Sequence, residues 1–421
     1  MASDSQTKSC PLNFDQHSEE HAKHWREIYH IMREECPQAW TESYGGYWVA
    51  TRYEDIIKIA QSTDSISAHR HIDPETGEES GGITIPLLPG VRGVPSETDS
   101  PEWDAARSFL NRRFSPSAVE ARKARTKQVV DWLIDKVIER GEIDFVDDLA
   151  SPIPGIVTME VFGLPYSDWE LYSEPVHRMV YLSQDDPGFA EAADGIAAFR
   201  RRVDEEVAIR RAKDREECPD DLLSYLAHGT LNGEPLTHAT IQEMAWQILS
   251  GGVDTTTAVS ANALVYLGRH PEQRQELIDR PEILPKACEE FVRYFSPIHG
   301  AGRNAKHDIE IAGFPFEKGD KVYMAYASAN RDPRVFDDPE QVKLDRTPNR
   351  HMGWGAGMHR CLGSFLARMM FQAILEGVLA RIPDYQIIED GIKSYPRIGM
   401  VNGLIRAPAI FAPGAKSGVL L

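Results

Sequence analysis

The sequence predicts a mainly α fold with a small β part, and three observations lead there. Apolar residues recur at helical spacing over 116–140, 168–182, 189–213, 237–270, 284–295 and 362–382. Strand-like runs are few, short and bounded by turn residues. Hydrophobic residues at 42% and charged residues at 26%, with no internal repeat or low-complexity tract, describe a chain that folds throughout.

Taken in order, residues 1–20 read as a polar N-terminal arm and 21–421 as a single domain. The helical pattern begins near Glu20. A hairpin follows, in which Gly45-Gly46 between Ala39–Thr41 and Trp48–Thr51 suits a two-residue turn. The stretch 65–101, rich in Gly, Pro, Asp, Glu and Ser, is too long for an idle connection and is expected to cover a site. Asp308 to Met324 reads as a second β region, with turns at Gly313 and Gly319. The pattern from Thr237 to His270 predicts one helix about 50 Å long at 1.5 Å per residue, enough to cross the molecule. Its middle, Ser250-Gly251-Gly252-Val253-Asp254-Thr255-Thr256-Thr257, opposes that fold: each glycine costs about 1 kcal/mol relative to alanine. Local conflict of this kind marks function.

Charge narrows the partners. Lys and Arg total 46 against 65 Asp and Glu, a formal charge of −19 that repels phosphate backbones and acidic lipids, so neither nucleic acid nor membrane is expected. Arg112, Arg113, Arg360 and Arg368 could still form a local basic patch for an acidic protein. No run approaches the ~18 apolar residues of a membrane span, and the first residues lack a signal-peptide core, so a cytoplasmic location is expected. Five widely spaced cysteines without a C-x-x-C pair argue against a disulfide framework or zinc site. His17, His21 and His24 have helical spacing but no further metal ligands nearby, and no phosphate-cradling glycine motif occurs. With no nicotinamide or flavin domain encoded, electrons for any redox reaction must come from another protein.

One cysteine stands apart. In Met352-Gly353-Trp354-Gly355-Ala356-Gly357-Met358-His359-Arg360-Cys361-Leu362-Gly363 four glycines surround Cys361, and a helix closed by Pro383 follows. Glycines let the backbone approach a bulky partner. A cysteine at a helix N-terminus is favoured as thiolate, the form that ligates iron and pushes electron density toward O–O cleavage.

This loop resembles that of the cytochrome P450 family, F-x-x-G-x-x-x-C-x-G, matched by Trp354, Gly357, Cys361 and Gly363, with Trp in place of the usual Phe. Three further segments are similar to the family's, in its order. Glu290 and Arg293 carry its E-x-x-R spacing, and Arg346 matches the arginine that joins them in a buried ion network. Asp254-Thr255, after Gly251-Gly252, resembles its acid–alcohol pair. Trp103 and Arg107 fit its H-x-x-x-R segment with Trp replacing His, and Arg303 matches its strand arginine.

The resemblance implies the P450 fold, with haem b between the long central helix and the cysteine loop. It implies Cys361 as the iron's axial ligand, His359, Arg303, Arg107 and Trp103 on the haem propionates, and Gly251 and Gly252 against the macrocycle and O₂. Asp254 and Thr255 would relay protons for O–O cleavage, and one oxygen atom would enter a small, mostly apolar molecule, terpenoid, aromatic or steroid-like. Ile85, Leu87, Leu88, Gln247, Ser250, Ile298, His299, Ala301 and the segment 179–189 would line its pocket. A separate ferredoxin and its reductase, using NAD(P)H, would supply electrons to a bacterial-type monomer. The acid–alcohol pair weighs against a peroxygenase or a haem sensor, neither of which needs it.

Overall fold

Helix ends fall where capping residues stand. In the computed structural model, which describes residues 13–73, 75–88, 91–183 and 185–421, α1 (Glu19–Glu35) begins after Ser18, whose hydroxyl accepts the His21 N–H. The remaining longer helices are α2 (Glu102–Asn111), α3 (Lys123–Val137), α4 (Pro152–Phe162), α5 (Trp169–Met179), α6 (Pro187–Arg211), α7 (His238–Gly252), α8 (Asp254–Arg269), α9 (Leu284–Phe295) and α10 (Ser364–Arg381). The first twelve residues of the expected N-terminal arm lie outside the described residues.

The β part is small, as expected. Strands β1 (Gln38–Thr41), β2 (Tyr47–Ala50), β3 (Ile66–Ser67), β4 (Ala301–Ala305) and β5 (Lys321–Met324) form one sheet in the order β1-β2-β5-β4-β3. Trp40 faces Trp48 across the hairpin. The connection is a 3₁₀ turn over Ser43–Gly45, longer than the expected two-residue turn, because Tyr44, Gly45 and Gly46 all adopt positive φ. A hairpin pairs Ile309–Ile311 with Phe314–Phe316 inside the second β region. Cys36 is disulfide-bonded, against the expectation from cysteine spacing, which does not constrain spatial approach; Cys218, Cys288 and Cys361 are free.

The main apolar core joins α3, α4, α7, α8, α9 and α10, through side chains such as Leu133, Ile156, Leu249, Leu264, Phe291 and Ile374. A second cluster of Trp48, Ile59, Phe314, Met324 and Met352 ties the sheet to the cysteine loop.

The long central helix is not continuous. It ends at Gly252 and restarts at Asp254, with Val253 at φ −98° and ψ −74° between. The hydroxyls of Thr255 and Thr257 donate to the carbonyls of Gly251 and Val253, at 3.0 and 3.2 Å. Threonines bonded back by one turn bend helices, and two glycines remove the side chains that would resist.

Behind the cysteine loop lies a fully buried carboxylate. Both oxygens of Glu290 accept from Arg293, each at 2.8 Å, and from Arg346 Nε at 2.9 and 3.0 Å. The Lys343 N–H and the Asn349 amide complete the shell, at 2.9 and 3.2 Å. Glu290 and Arg293 are 0% exposed, so the pair is stable only because every charge is met. Arg293 also donates to the carbonyls of Asn330, Pro339 and Gln341, which fastens the segment leading to the cysteine loop.

Glu290→Ala would strand two buried guanidinium groups and is expected to cost about 3–5 kcal/mol. Denaturant unfolding measures this; a loss under 1 kcal/mol would mean the network does not hold the segment.

Candidate active site

The break between α7 and α8 faces the cysteine loop across a cavity of about 630 Å³. Gly251, Gly252, Thr255, Thr256 and Val259 line one side. Trp354, Gly355, His359, Cys361 and Gly363 line the other. A covering wall comes from Ile83 to Leu88, at the end of the long Gly/Pro-rich stretch. Buried Arg70 and partly buried Arg92 hold that wall in place: Arg70 pairs with Glu79 and donates to the Leu88 carbonyl at 2.9 Å, while Arg92 bridges Glu102 on α2 and Glu243 on α7.

Cys361 lies three residues before α10. Its N–H donates to the Trp354 carbonyl at 2.8 Å, closing the loop on itself. Gly357 has φ +66°, and a Cβ there would stand 2.5 Å from the Ala60 carbonyl oxygen, so a glycine is required. The Cys361 sulfur opens onto the cavity. Burial dominates and raises its thiol, against the expectation for a cysteine before a helix, while the Gly363 N–H and the charges of Arg107, Arg368 and Arg360 oppose the rise.

Cationic and N–H donors gather beside it. Arg303 is buried, lines the cavity, and among the described residues has only the Gly302 carbonyl as hydrogen-bond partner. Arg107 donates to the Arg360 carbonyl at 2.6 Å and its guanidinium lies 5.9 Å from the Trp103 ring. The Trp103 indole N–H and His359 Nδ1 are buried without a partner among the described residues. Burial, with Arg303 and Arg107 nearby, lowers His359 to about 3, leaving a neutral ring. Unpartnered donors and unmatched cations around a thiol and open glycine backbone fit a flat, iron-bearing group with two carboxylates, as haem b is.

Opposite, the expected proton-relay pair divides. Thr255 lines the cavity, but Asp254 does not: it is 1% exposed and points to the other side of the helix break. Its Oδ1 accepts from His177 Nδ1 at 2.6 Å and from the Tyr395 hydroxyl at 2.9 Å, while Oδ2 has no partner among the described residues.

Most of the expected pocket residues meet here. Ile85, Leu87, Leu88, Gln247, Ile298 and Ala301 line the cavity, with Met179 to Ser183, Asp185 and Phe189. Ser250 does not, because one helical step turns it from the wall formed by Gln247 and Gly251; its hydroxyl instead donates to the Gln247 carbonyl at 3.4 Å. His299 does not either, because alternation along an extended segment sends it to the far side, against Trp25 at 4.6 Å.

Sequence reasoning missed three groups. Thr256 also lines the cavity, with a buried hydroxyl that has no partner. The His177–Tyr395 pair gave no signal, since the two lie 77 and 141 residues from Asp254. Glu289 was overshadowed by its neighbour in the E-x-x-R motif. It accepts from the Trp354 indole at 3.0 Å, His351 at 3.1 Å and Arg368 at 2.6 and 3.0 Å, while Arg368 stacks on the Trp354 ring at 4.5 Å. Burial alone would raise the Glu289 carboxyl, but the bonds from His351 and Arg368 hold it far below the usual range. An indole in place of phenylalanine thus gains an acceptor that phenylalanine could not use.

Known proteins resemble this chain along most of its length. The family model described as "Cytochrome P450" matches residues 180–382, which contain the helix break and the cysteine loop. A steroid C26-monooxygenase of Mycolicibacterium smegmatis is 30% identical over 395 residues, 93% of this chain and 93% of that protein. A linalool 8-monooxygenase of Pseudomonas putida is 30% identical over 401 residues, 92% and 95% of the two chains. Among solved structures, the cytochrome P450 PksS of the Bacillus subtilis 168 bacillaene polyketide synthase superposes with a TM-score of 0.83 at 26% identity, covering 95% of this chain and 100% of that one.

Glu289→Ala would remove the shared acceptor of Trp354, His351 and Arg368. A loss of about 2–3 kcal/mol is expected, the scale for hydrogen bonds to charged groups. Backbone amide exchange over 351–361 should also accelerate at least tenfold; unchanged exchange would show that Glu289 does not brace the loop.

Proposed function

The chain belongs to the cytochrome P450 family, and from that premise we propose that Cys361 is the axial ligand of its haem iron and that Thr255 delivers protons in the cavity. The enzyme is a haem-dependent monooxygenase, and its bound haem supplies O₂ activation and oxygen insertion. The remaining work falls to the protein's own residues.

Arg107, Arg303, His359 and the Trp103 indole would hold the haem's two carboxylates, since guanidinium pairs and N–H donors suit carboxylate oxygens. Gly251 and Gly252 keep the facing backbone low: a Cβ on Gly252 would crowd the Thr158 hydroxyl at 3.3 Å, and one on Gly251 would stand 3.5 Å from the Gln247 amide and take up space beside the cavity. The loop from Ile83 to Leu88 excludes water from the reaction. Thr255 holds a proton at Oγ1 in the cavity wall, and Asp254, one residue earlier, replenishes it from behind the break.

The substrate we propose is a small, mostly apolar molecule, steroid or terpenoid in type. The apolar wall of Ile85, Leu87, Leu88, Val180, Phe189 and Ile298 supports this, as does similarity to relatives named for steroid and linalool oxidation. Electrons would come from a ferredoxin and its NAD(P)H-dependent reductase. Of the four arginines proposed to meet such a partner, Arg113 is paired with Asp220 and Arg368 with Glu289. Arg112 and Arg360 are exposed, Arg360 within the cysteine loop and near exposed Phe365, and would carry that contact. A monomeric cytoplasmic enzyme fits this reading, and among the described residues no helix is long and apolar enough to cross a membrane.

The observation that carries the assignment is the Cys361 sulfur opening onto a cavity ringed by unmatched cations and N–H donors. It is tested by the absorbance of the reduced protein under carbon monoxide. A main haem band far to the red of imidazole-ligated haem is expected, and Cys361→His should abolish that shift. An imidazole-type band, indifferent to Cys361, would sink the assignment.

Thr255→Ala should retain haem and substrate binding but lower product formed per NAD(P)H by about tenfold, with hydrogen peroxide making up the difference. Unchanged coupling would remove Thr255 from the relay.

A further inference from the structure

The Asp254 carboxylate turns its back on the cavity it is meant to serve, and what it meets there is unusual. His177 Nδ1, the Tyr395 hydroxyl and Asp254 Oδ1 form a closed triangle of 2.6, 2.9 and 3.0 Å, drawn from α5, the chain before residue 404, and the first turn of α8. All three side chains are buried. Oδ1 accepts both hydrogen bonds, whereas Oδ2 is buried without one. A carboxylate kept only to hold the fold would have both oxygens satisfied.

The imidazole is what sets this cluster apart from a clamp. A guanidinium or ammonium partner would pin the carboxylate with a proton it does not give up near neutral pH, while imidazole gains and loses protons there. His177 keeps a small exposed margin, 7% of its side chain, and no hydrogen bond engages its Nε2 among the described residues. That margin is where solvent can reach the ring, whose Nδ1 meets Asp254. Tyr181 connects the cluster to the cavity: it lines the cavity wall, and its ring lies 4.8 Å from Tyr395 and 5.5 Å from His177.

We propose that His177 is the residue through which Asp254 receives protons from solvent, and that Tyr395 positions the Asp254 carboxylate for the transfer. This rests on the reading that Asp254 and Thr255 feed protons to the cavity. A solvent acid protonates Nε2, the imidazolium passes its Nδ1 proton to Asp254 Oδ1, and a ring flip restores the starting tautomer. One proton leaves solvent, one arrives on the carboxyl, and no electrons move. Both His177 and Tyr395 are positioning residues, since neither lines the cavity.

Charges around the ring support its uptake of a proton from solvent. Burial by itself would lower the His177 pKa, but the hydrogen bond and charge of Asp254 on α8, with Glu174 on α5 and Asp147 in the segment 145–150, outweigh it and raise the pKa. Tyr395 is pushed far up by burial and by Asp254, so it stays neutral and keeps the proton it donates to Asp254 Oδ1. The imidazolium thus persists to higher pH than an ordinary histidine would allow, and the supply of protons should fail as pH rises through that value.

Two measurements on the haem-loaded enzyme test this. Histidine-labelled protein in the diamagnetic, carbon-monoxide-bound state reports the His177 titration by NMR, assigned through the signal missing in His177→Gln. It should titrate above 6.5, and lower in Asp254→Asn than in the wild type. NAD(P)H-driven oxygen consumption, supported by a plant-type ferredoxin and its reductase with no organic substrate added, should fall at least tenfold in Asp254→Asn and in His177→Gln. The wild-type decline at high pH should vanish in His177→Gln, and Tyr395→Phe should slow the rate while keeping that decline. His177→Asn serves if the Gln variant does not fold. A slow Asp254→Asn beside a His177 variant with wild-type rate and pH profile would overturn the inference and leave the Asp254 reading intact, as would titration at or below 6.5. An unimpaired Asp254→Asn would overturn the relay reading and the inference together.

Discussion

Everything near the cysteine loop depends on one buried negative charge being met. Glu290 sits at zero exposure with two guanidinium groups, a backbone N–H and an amide converging on it. A carboxylate in that place without them would cost several kcal/mol, so the arginines must be brought in, and with them the chain that bears them. Arg293 anchors the carbonyls of Asn330, Pro339 and Gln341. Asn330 in turn accepts the Met352 N–H at 2.6 Å, at the first residue of the cysteine loop. A single helix therefore locates the loop from within, while its adjacent residue, Glu289, holds the same loop through Trp354 and Arg368. Two consecutive acids on α9 divide the task because successive helical side chains point about 100° apart.

The opposite wall is built on the reverse principle, a deliberate failure of regular structure. The central helix gives up its continuity at Val253, where glycines and threonines replace the residues that would sustain it. That break turns Thr255 and Thr256 toward the cavity and leaves Asp254 on the buried far side. Cavity and proton source are thus separated by the thickness of one helix, and the residues that meet Asp254 come from distant parts of the chain. The cover over the cavity is held by charge rather than by regular structure, through Arg70 with Glu79 and Glu97 and Arg92 with Glu102 and Glu243.

Much of this was legible in the sequence. Helical spacing predicted the mainly α fold, four glycines around Cys361 marked the loop, and the conflict at 250–257 marked the opposite wall. In both places the signal was local: residue types at short, fixed separations that the backbone's own geometry converts into position. The same locality explains the errors. A conflicted stretch announces strain but not whether the helix bends or breaks, and the threonine hydroxyls decided that it breaks. Ser250 and His299 were assigned by their neighbours' company, yet a single step along a helix or an extended segment reverses which side a residue faces.

By itself the sequence determined the fold class and the cysteine loop, because these depend on periodicity and on a motif only a few residues long, while the ion network and most of the cavity wall were expected from resemblance to a family. Only the tertiary structure decided which way Asp254 points, that His177 and Tyr395 meet it, and that Glu289 holds the indole of Trp354. Those contacts join residues 65 to 141 positions apart, where side-chain chemistry is complementary in countless pairings and only packing selects one. A polar atom's identity is written in the sequence, but its partner is chosen by the core that buries it.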